Sequence, residues 1–332
     1  MVRWKSLDTR ETMPVTDDHD HHTHDSHHDH GSQAGHAHAH APTDFGRAFA
    51  IGTALNAGFV LLEAIYGFQA NSVALLADAG HNLGDVFGLL MAWGASALVK
   101  RPPTPRFTYG YRSSTILAAL GNAVLLLVAT GAIAWEAVQR LGSPEPVAAA
   151  TVMIVAAIGI AINGFTAWMF MAGRGDDINI KAAYAHMAAD AVVAAGVVAA
   201  GLAIAVTGWR WVDPVTSLII SAVIVWGTWG LLRGSVELAM NAVPSGIDPA
   251  KVRKHLEALP GVSAIHDLHI WPMSTTEAAL TCHLVMPMGA PDDTFIAKAA
   301  ESIKAAFGIA HSTLQIERGD GAECALAPDH VV

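Results

Sequence analysis

Long apolar blocks separated by short polar stretches dominate most of the chain. Six blocks are long enough to cross about 30 Å of hydrocarbon as helices, and they lie at 47–68, 73–99, 114–138, 147–172, 184–207 and 213–232. The pattern predicts six membrane-spanning helices. The first block begins only after a long polar segment, so no cleavable signal peptide is expected and the first span should stay in the membrane.

After the last apolar block the pattern becomes that of a small soluble domain. Apolar periodicity predicts a helix at 249–259, strands at 262–271 and 277–286, a second helix at 292–307 and a third strand at 312–317. These elements form an open α+β sandwich. The predicted domains are residues 1–44, a six-span transmembrane domain at 45–240 and a soluble domain at 241–332.

Residues 1–44 have a different character from both domains. Ten of the 18 histidines of the chain lie between His19 and His40, mixed with aspartates and with almost no apolar residues. Such a segment has too little apolar surface to form a core, so it is predicted to be disordered, with weak and multiple metal contacts. An accidental low-complexity tail is the alternative.

Composition and charge agree with a membrane protein that carries a modest soluble part. The 332 residues are 52% hydrophobic and 14% charged, with a mean hydropathy of +0.38. A net charge of -10 argues against a nucleic-acid partner. Positive residues concentrate after the second, fourth and sixth spans, which places both termini in the cytoplasm by the positive-inside rule: Lys100, Arg101, Arg106, Arg112, Arg174, Lys181 and Arg233.

Two pairs of ionisable residues stand inside the apolar blocks. His81 and Asp85 lie in the second block, and His186 and Asp190 lie in the fifth, each pair four residues apart. At that spacing both side chains project from one helix face. Because a carboxylate near the bilayer centre costs roughly 2.5–3.5 kcal/mol, these residues are expected to serve function. If the two helices face each other, they form one four-ligand site.

Two imidazoles and two carboxylates are the donor set of tetrahedral zinc. Calcium and magnesium prefer six or more oxygen ligands, which counts against both. Cadmium, cobalt, nickel and iron stay open, so the sequence predicts a divalent-metal site with zinc as the first choice. Asp78 lies one turn before His81, and is expected to be accessory to the site as an orienting residue or a gate, with a fifth ligand as the alternative.

Imidazole must lose its proton to bind a metal, so metal and protons exclude each other at such a site. With an unperturbed pKa of about 6.5, histidine changes state near physiological pH. A carrier that exposes the site alternately to each side becomes a metal/proton antiporter. Export of zinc from the cytosol is the functional hypothesis.

Several motifs resemble those of the cation diffusion facilitator family of zinc transporters, and the resemblance covers almost all of residues 45–332. The similar segments are Asn71–Asp85, Tyr109–Arg112, Asp177–His186, Trp211–Pro214 and His266–Trp271. The resemblance implies a homodimer in the lipid bilayer, with six spans per subunit and a ferredoxin-like, metallochaperone-like cytoplasmic domain. It also implies that His81, Asp85, His186 and Asp190 form the transport site. The N-terminal histidines resemble the arrangement in bacterial members, which implies the inner membrane.

The soluble domain has a second set of candidate ligands. A regular strand places His266 and His269 on opposite faces, so one of them is expected to be structural. The family resemblance favours His266, with His283, His311 and Glu317, as a regulatory zinc site. Cys282 and Cys324 are predicted to be reduced thiols, because no disulfide framework or Cys-x-x-Cys motif is present. An exposed thiol is expected at Cys324, with metal binding as the alternative.

Two other classes of function compete with transport. Catalytic zinc sites keep three protein ligands and an open position, and the sequence has no His-Glu-x-x-His element, so an intramembrane enzyme is disfavoured. A membrane-anchored metal sensor or buffer would use the histidine-rich segment as a sink. Such an anchor does not require ionisable pairs in two spans, and transport is therefore preferred.

Overall fold

The computed structural model describes residues 45–171, 178–289, 293–319 and 324–327. The histidine-rich segment at 1–44 lies outside the described residues, as do Asp177 and His330. The described chain forms eight helices and three strands: α1 (Phe45–Gln69), α2 (Val73–Val99), α3 (Ser114–Gly142), α4 (Ala149–Met171), α5 (Ile178–Thr207), α6 (Val212–Ala239), α7 (Pro249–Glu257), β1 (Ala264–Pro272), β2 (Ala278–Val285), α8 (Asp293–Phe307) and β3 (His311–Glu317).

The six long helices confirm the predicted transmembrane class. Five of them, α2 to α6, contain a segment long and apolar enough to cross a membrane, and α1 reaches a spanning length of 25 residues. The most extensive packing is between α4 and α5 and between α3 and α6, while α2 contacts α1, α3, α5 and α6. This central place of α2 brings its polar face next to α5.

Polar contacts hold the helices together at one end of the bundle, the end opposite the soluble domain. Asp213, at the start of α6, accepts hydrogen bonds from the Ser72 hydroxyl and, at 2.8 Å, from the Val73 amide. These contacts satisfy donors at the amino end of α2 that would otherwise lack partners. Asn71 adopts a positive φ of 53° and donates to Glu145 at 2.6 Å. Two interhelical loops and the start of α6 are thereby held together.

The soluble domain is an open-faced α+β sandwich, as the sequence predicts. Its sheet has the order β1-β2-β3, with β1 antiparallel to β2 and β2 parallel to β3. Asp248 caps α7 by accepting from the Ala250 amide at 3.0 Å, and Pro249 occupies the first helical turn. One sheet face forms the apolar core with α7 and α8, through buried residues that include Leu256, Leu280, Leu284 and Ile303.

One sequence expectation about the sheet is wrong. Strand β1 has a bulge between His266 and His269, which pair with His283 and Thr281 of β2. Asp267, inside the bulge, has a φ of 52°. The bulge inserts one extra residue into β1, so His266 and His269 lie on the same face of the sheet rather than on opposite faces. This face is the one that the helices leave open.

Candidate metal centre

The structure brings the two His-Asp pairs of α2 and α5 together. Asp85 Oδ2 lies 3.3 Å from His186 Nε2 and 3.9 Å from His81 Nδ1. Asp190 lies 3.5 Å from His81 Nε2 through Oδ1 and 3.7 Å from His186 Nε2 through Oδ2. We call these four residues the transmembrane cluster.

The spacing of the cluster fits a small tetrahedral cation. Zinc bonds of about 2.0–2.1 Å place neighbouring ligand atoms of a tetrahedron about 3.3 Å apart. His81, Asp85 and Asp190 each offer one ligand atom within 4.8 Å of the others. His186 does not meet that limit with all three residues, and its imidazole lies edge-on to His81 with ring centroids 6.1 Å apart. His186 has to move closer to the other three residues before all four ligand atoms reach tetrahedral spacing.

Unsatisfied polar atoms support the same interpretation. His81 Nδ1, Asp85 Oδ2 and Asp190 Oδ2 are buried and have no hydrogen-bond partner among the described residues. Buried polar groups without partners are costly in proteins. A bound cation or bound protons would satisfy these atoms. The chemistry of the four side chains is therefore suited to binding a metal ion.

The cluster is reached from one side of the bundle. A cavity of about 390 Å³ contacts Asp85 and His186, and its walls include Gly52 of α1, Thr166 of α4 and Ala183 of α5. These wall residues lie near the end of the bundle that is followed by the soluble domain, because α1 and α5 begin there and α4 ends there. This cavity therefore gives the cluster an entrance on the soluble-domain side, whereas the contacts of Asp213 hold the opposite end together.

Neutral amides line this entrance. Asn56 and Asn122 border the cavity, and Asn122 also borders a second cavity of about 320 Å³ that contacts His81. Gly88 makes room for Asn122, since a Cβ there would lie 2.7 Å from the Asn122 amide nitrogen. The structure places both Asn56 and Asn122 at the cavity.

Asp78 is not a member of the transmembrane cluster. It is only 1% exposed and faces Glu63 of α1, whose Oε2 accepts a hydrogen bond from Asn82 at 3.1 Å. For Glu63 and Asp213 the sequence leaves both structural capping and function open. Asp213 caps the amino end of α2, whereas Glu63 lies in the interior of α1 and is fully buried.

A second cluster lies on the open face of the sheet. Glu317 of β3 contacts His283 Nδ1 at 2.9 Å and His266 Nε2 at 3.2 Å, and the two histidine nitrogens are 3.3 Å apart. Cys324 Sγ lies 3.7 Å from His283 Nδ1. These four residues, the sheet cluster, offer two nitrogens, one oxygen and one sulfur within 4.8 Å of one another.

Two sequence expectations for this domain need correction. His311 does not join the sheet cluster, because it lies at the start of β3, where its ring contacts Tyr109 at 5.4 Å between centroids. Cys324 is not a fully exposed thiol but partly covers the cluster. The segment that carries Cys324 follows β3, and no local sequence pattern indicated that it folds back onto the sheet.

Neighbouring side chains orient the histidines of the sheet cluster and affect the charge of Glu317. Asp267, at the bulge, contacts His283 Nε2 at 3.4 Å and His269 Nε2 at 2.8 Å, which leaves His283 Nδ1 to face Glu317. Metal-binding histidines commonly have their other nitrogen held by such a carboxylate. Although burial acts in the opposite direction, hydrogen bonds from Gln315 and Cys324 and the nearby imidazoles lower the pKa of Glu317. Glu317 is therefore ionised at neutral pH and available as a ligand.

Comparison with known proteins agrees with the two domains that carry these clusters. A model of the cation efflux transmembrane domain matches residues 49–238, and a model of the cation efflux protein cytoplasmic domain matches residues 244–319. The chain belongs to the cation diffusion facilitator family. Its members are multi-pass membrane transporters of divalent metals rather than enzymes, and the transmembrane cluster lies inside the first matched domain.

Individual relatives of this family are similar over most of their length. The metal cation efflux system protein CzcD of Cupriavidus metallidurans is 36% identical over 86% of this chain and 90% of its own. The zinc transporter ZitB of Escherichia coli is 33% identical over 85% and 91%. The cadmium, cobalt and zinc/H(+)-K(+) antiporter of Bacillus subtilis is 34% identical over 78% and 85%.

Proposed function

We propose that this cation diffusion facilitator exports zinc from the cytosol in exchange for protons, with the transmembrane cluster as the transport site. The observation that carries the proposal is the meeting of the two helices, in which Asp85 of α2 lies 3.3 Å from His186 of α5 and Asp190 of α5 lies 3.5 Å from His81 of α2. The cluster bridges two helices, so a change in their relative position changes both its geometry and its affinity.

The direction of transport follows from the entrance and the charge pattern. The cavity opens on the side of the soluble domain, which the positive-inside rule assigns to the cytoplasm together with both termini. Metal enters the cluster from that side and displaces protons from the imidazoles. Opening of the opposite end requires the Asp213 contacts with Ser72 and Val73 to break. Protons from that side then compete with the metal and release it.

The sheet cluster supports a second proposal, that the cytoplasmic domain binds a regulatory zinc ion. His266, His283, Glu317 and Cys324 provide four ligands, which is the closed set typical of structural rather than catalytic zinc. The sheet cluster lies in the soluble domain rather than in the membrane-spanning helices, so we assign it a regulatory role and not a direct role in transport. The cytoplasmic domain matched by the second family model is the expected site of homodimer formation, and the inner membrane is the expected location of the transporter.

Flux measurements in proteoliposomes test the transport proposal. The full chain is reconstituted with an imposed pH gradient, and zinc movement and lumenal pH are followed together. An antiporter moves zinc and protons in opposite directions. A sensor or buffer binds zinc without moving it, so binding without flux would contradict the proposal. Competition with cadmium and cobalt in the same assay ranks the ions.

A further inference from the structure

A buried carboxyl pair lies beside the transmembrane cluster and is not used by it. Glu63 of α1 is 0% exposed and Asp78 of α2 is 1% exposed. Asn82 donates one hydrogen bond to Glu63 Oε2. The other three oxygens of the pair, Glu63 Oε1 and both oxygens of Asp78, find no donor among the described residues.

The charges around the pair do not neutralise two carboxylates. Two ionisable groups outside the pair act on it electrostatically. They are His81, one turn after Asp78 on α2, and Asp190 of α5. Helix α4, which packs against α1, has no ionisable residue in its sequence.

Several charged groups of the neighbouring helices have other partners. Asp213 of α6 is held by Ser72 and Val73. Glu136 and Arg140 of α3 pair with each other at 2.8 Å. None of the charged groups that act on the pair is a lysine or an arginine, so nothing among them balances a double negative charge there.

A proton held between the two carboxyl groups would remove one of the two negative charges. Asn82 lies one turn after Asp78 on the same face of α2 and donates to Glu63 at 3.1 Å, so the Glu63 carboxyl lies against the face that carries Asp78. Two carboxylate oxygens are both acceptors, so a hydrogen bond between them exists only when one group is protonated. Two adjacent carboxyl groups in a water-poor site commonly share a proton, because like charges at such a distance cannot both persist.

We propose that Glu63 and Asp78 share one proton and form a second proton-binding site of the transporter, separate from the transmembrane cluster. The inference rests on the proposed antiport function and deepens it. When a divalent cation occupies the cluster, its positive charge favours loss of the shared proton, and the carboxylic acid becomes a carboxylate plus a released proton. When the metal leaves, the proton returns. The pair thus adds one proton to those exchanged at the imidazoles.

The proton count of metal binding tests the proposal. The variants are Glu63→Gln and Asp78→Asn in the full-length protein, and Glu136→Gln, a half-exposed carboxyl of α3, is the matched control. Calorimetric zinc titrations in buffers of different ionisation enthalpy give the number of protons released per zinc bound. We expect each variant of the pair to release about one proton fewer than the wild type, and the control to match the wild type. An unchanged count in the variants would overturn the proposal.

Two further measurements separate this role from a structural one. Infrared difference spectra of wild-type protein, with and without zinc, should show loss of a protonated carboxylic acid band, and that band should be absent in Glu63→Gln. No such band in the wild type would refute the shared proton without any variant having to fold. A second zinc ion bound by the wild type and lost in Glu63→Gln would equally overturn it, since the pair would then bind metal. Wild-type flux distinguishes the two ideas: no flux defeats the proposed function, whereas flux with an unchanged proton count defeats only this inference.

Discussion

Asp85 of α2 makes its shortest contact in the transmembrane cluster with His186 of α5, at 3.3 Å. Its contact with the histidine one turn earlier on its own helix is longer, at 3.9 Å. The cluster is therefore shared between two helices rather than being two separate pairs. A cation bound there has ligands from both α2 and α5. Binding of the cation is therefore coupled to the relative position of the two helices.

Removal of a ligand from the transmembrane cluster should stop transport. Asp190 is almost fully buried and contacts both histidines, so Asp190→Asn removes a charge that no other group replaces. We expect zinc flux in proteoliposomes to fall at least about tenfold, the effect of 1.4 kcal/mol or more in binding. The same loss is expected for His81→Ala. Normal flux in both variants would exclude these residues from the site, and Glu136→Gln should transport like the wild type.

Exchange of an imidazole for a carboxylate should change ion selectivity. His81→Asp replaces a nitrogen ligand with a harder oxygen ligand, which favours cations such as Mn²⁺ over zinc. We expect the ratio of manganese to zinc flux to rise in this variant. The measurement is a competition assay with both metals present. A ratio equal to that of the wild type would contradict a direct ligand role for His81.

The Asp213 contacts should stabilise the amino end of α2. Asp213→Ala leaves the Ser72 hydroxyl and the Val73 amide without their acceptor in a buried place. An unsatisfied buried group costs about 1–3 kcal/mol, so the thermal unfolding temperature in detergent should drop. Asp213→Asn retains one acceptor oxygen and should cost less. Equal stability of Asp213→Ala and the wild type would disprove the capping role.

Thiol reactivity should separate the two cysteines. Burial raises the pKa of Cys282 to about 12, so this group holds almost no thiolate at pH 8 and should react with maleimide only after unfolding. Cys324 is partly accessible in the sheet cluster and should react in the native protein. Zinc should protect Cys324, because a bound thiolate is no longer free to attack. Labelling of the single variants Cys282→Ser and Cys324→Ser with mass spectrometry checks each site.

A failure of zinc to slow the labelling of Cys324 would count against the sheet cluster as a metal site. His283→Ala is the matched test, since this residue contacts both Glu317 and Cys324. The variant should lose protection by zinc while leaving the transmembrane cluster unaltered. His311→Ala serves as the control, because His311 lies against Tyr109 and away from the cluster.

The ion pair between Arg112 and Glu277 joins the loop before α3 to the sheet domain, and both side chains are more than a third exposed. Exposed pairs of this kind contribute about 0.2–1 kcal/mol. A double-mutant cycle with Arg112→Ala and Glu277→Ala should therefore give a small coupling in stability. A coupling well above this range would mean that the contact is not an ordinary surface pair.

The sequence alone determined the six long helices, the α+β domain and the face shared by His81 with Asp85 and by His186 with Asp190. These features follow from local rules, because apolar length, helical periodicity and strand alternation are properties of neighbouring residues. Tertiary structure decided which faces meet. Only the packing of α2 against α5 brings the two pairs together, and only the packing of α1 against α2 gives Glu63 the partner Asp78.

The sheet domain shows the same division. Alternation predicted opposite faces for His266 and His269, but the bulge at Asp267 shifted the register and placed both on one face. Likewise, His311 lies on the correct strand but about four residues from His283 along the ladder, and Cys324 returns to the cluster from the chain after β3. A strand pattern specifies only which residue types alternate. Register, bulges and chain reversals depend on pairing with segments that are distant in the sequence. The free energy of that pairing cannot be read from a short stretch of neighbouring residues.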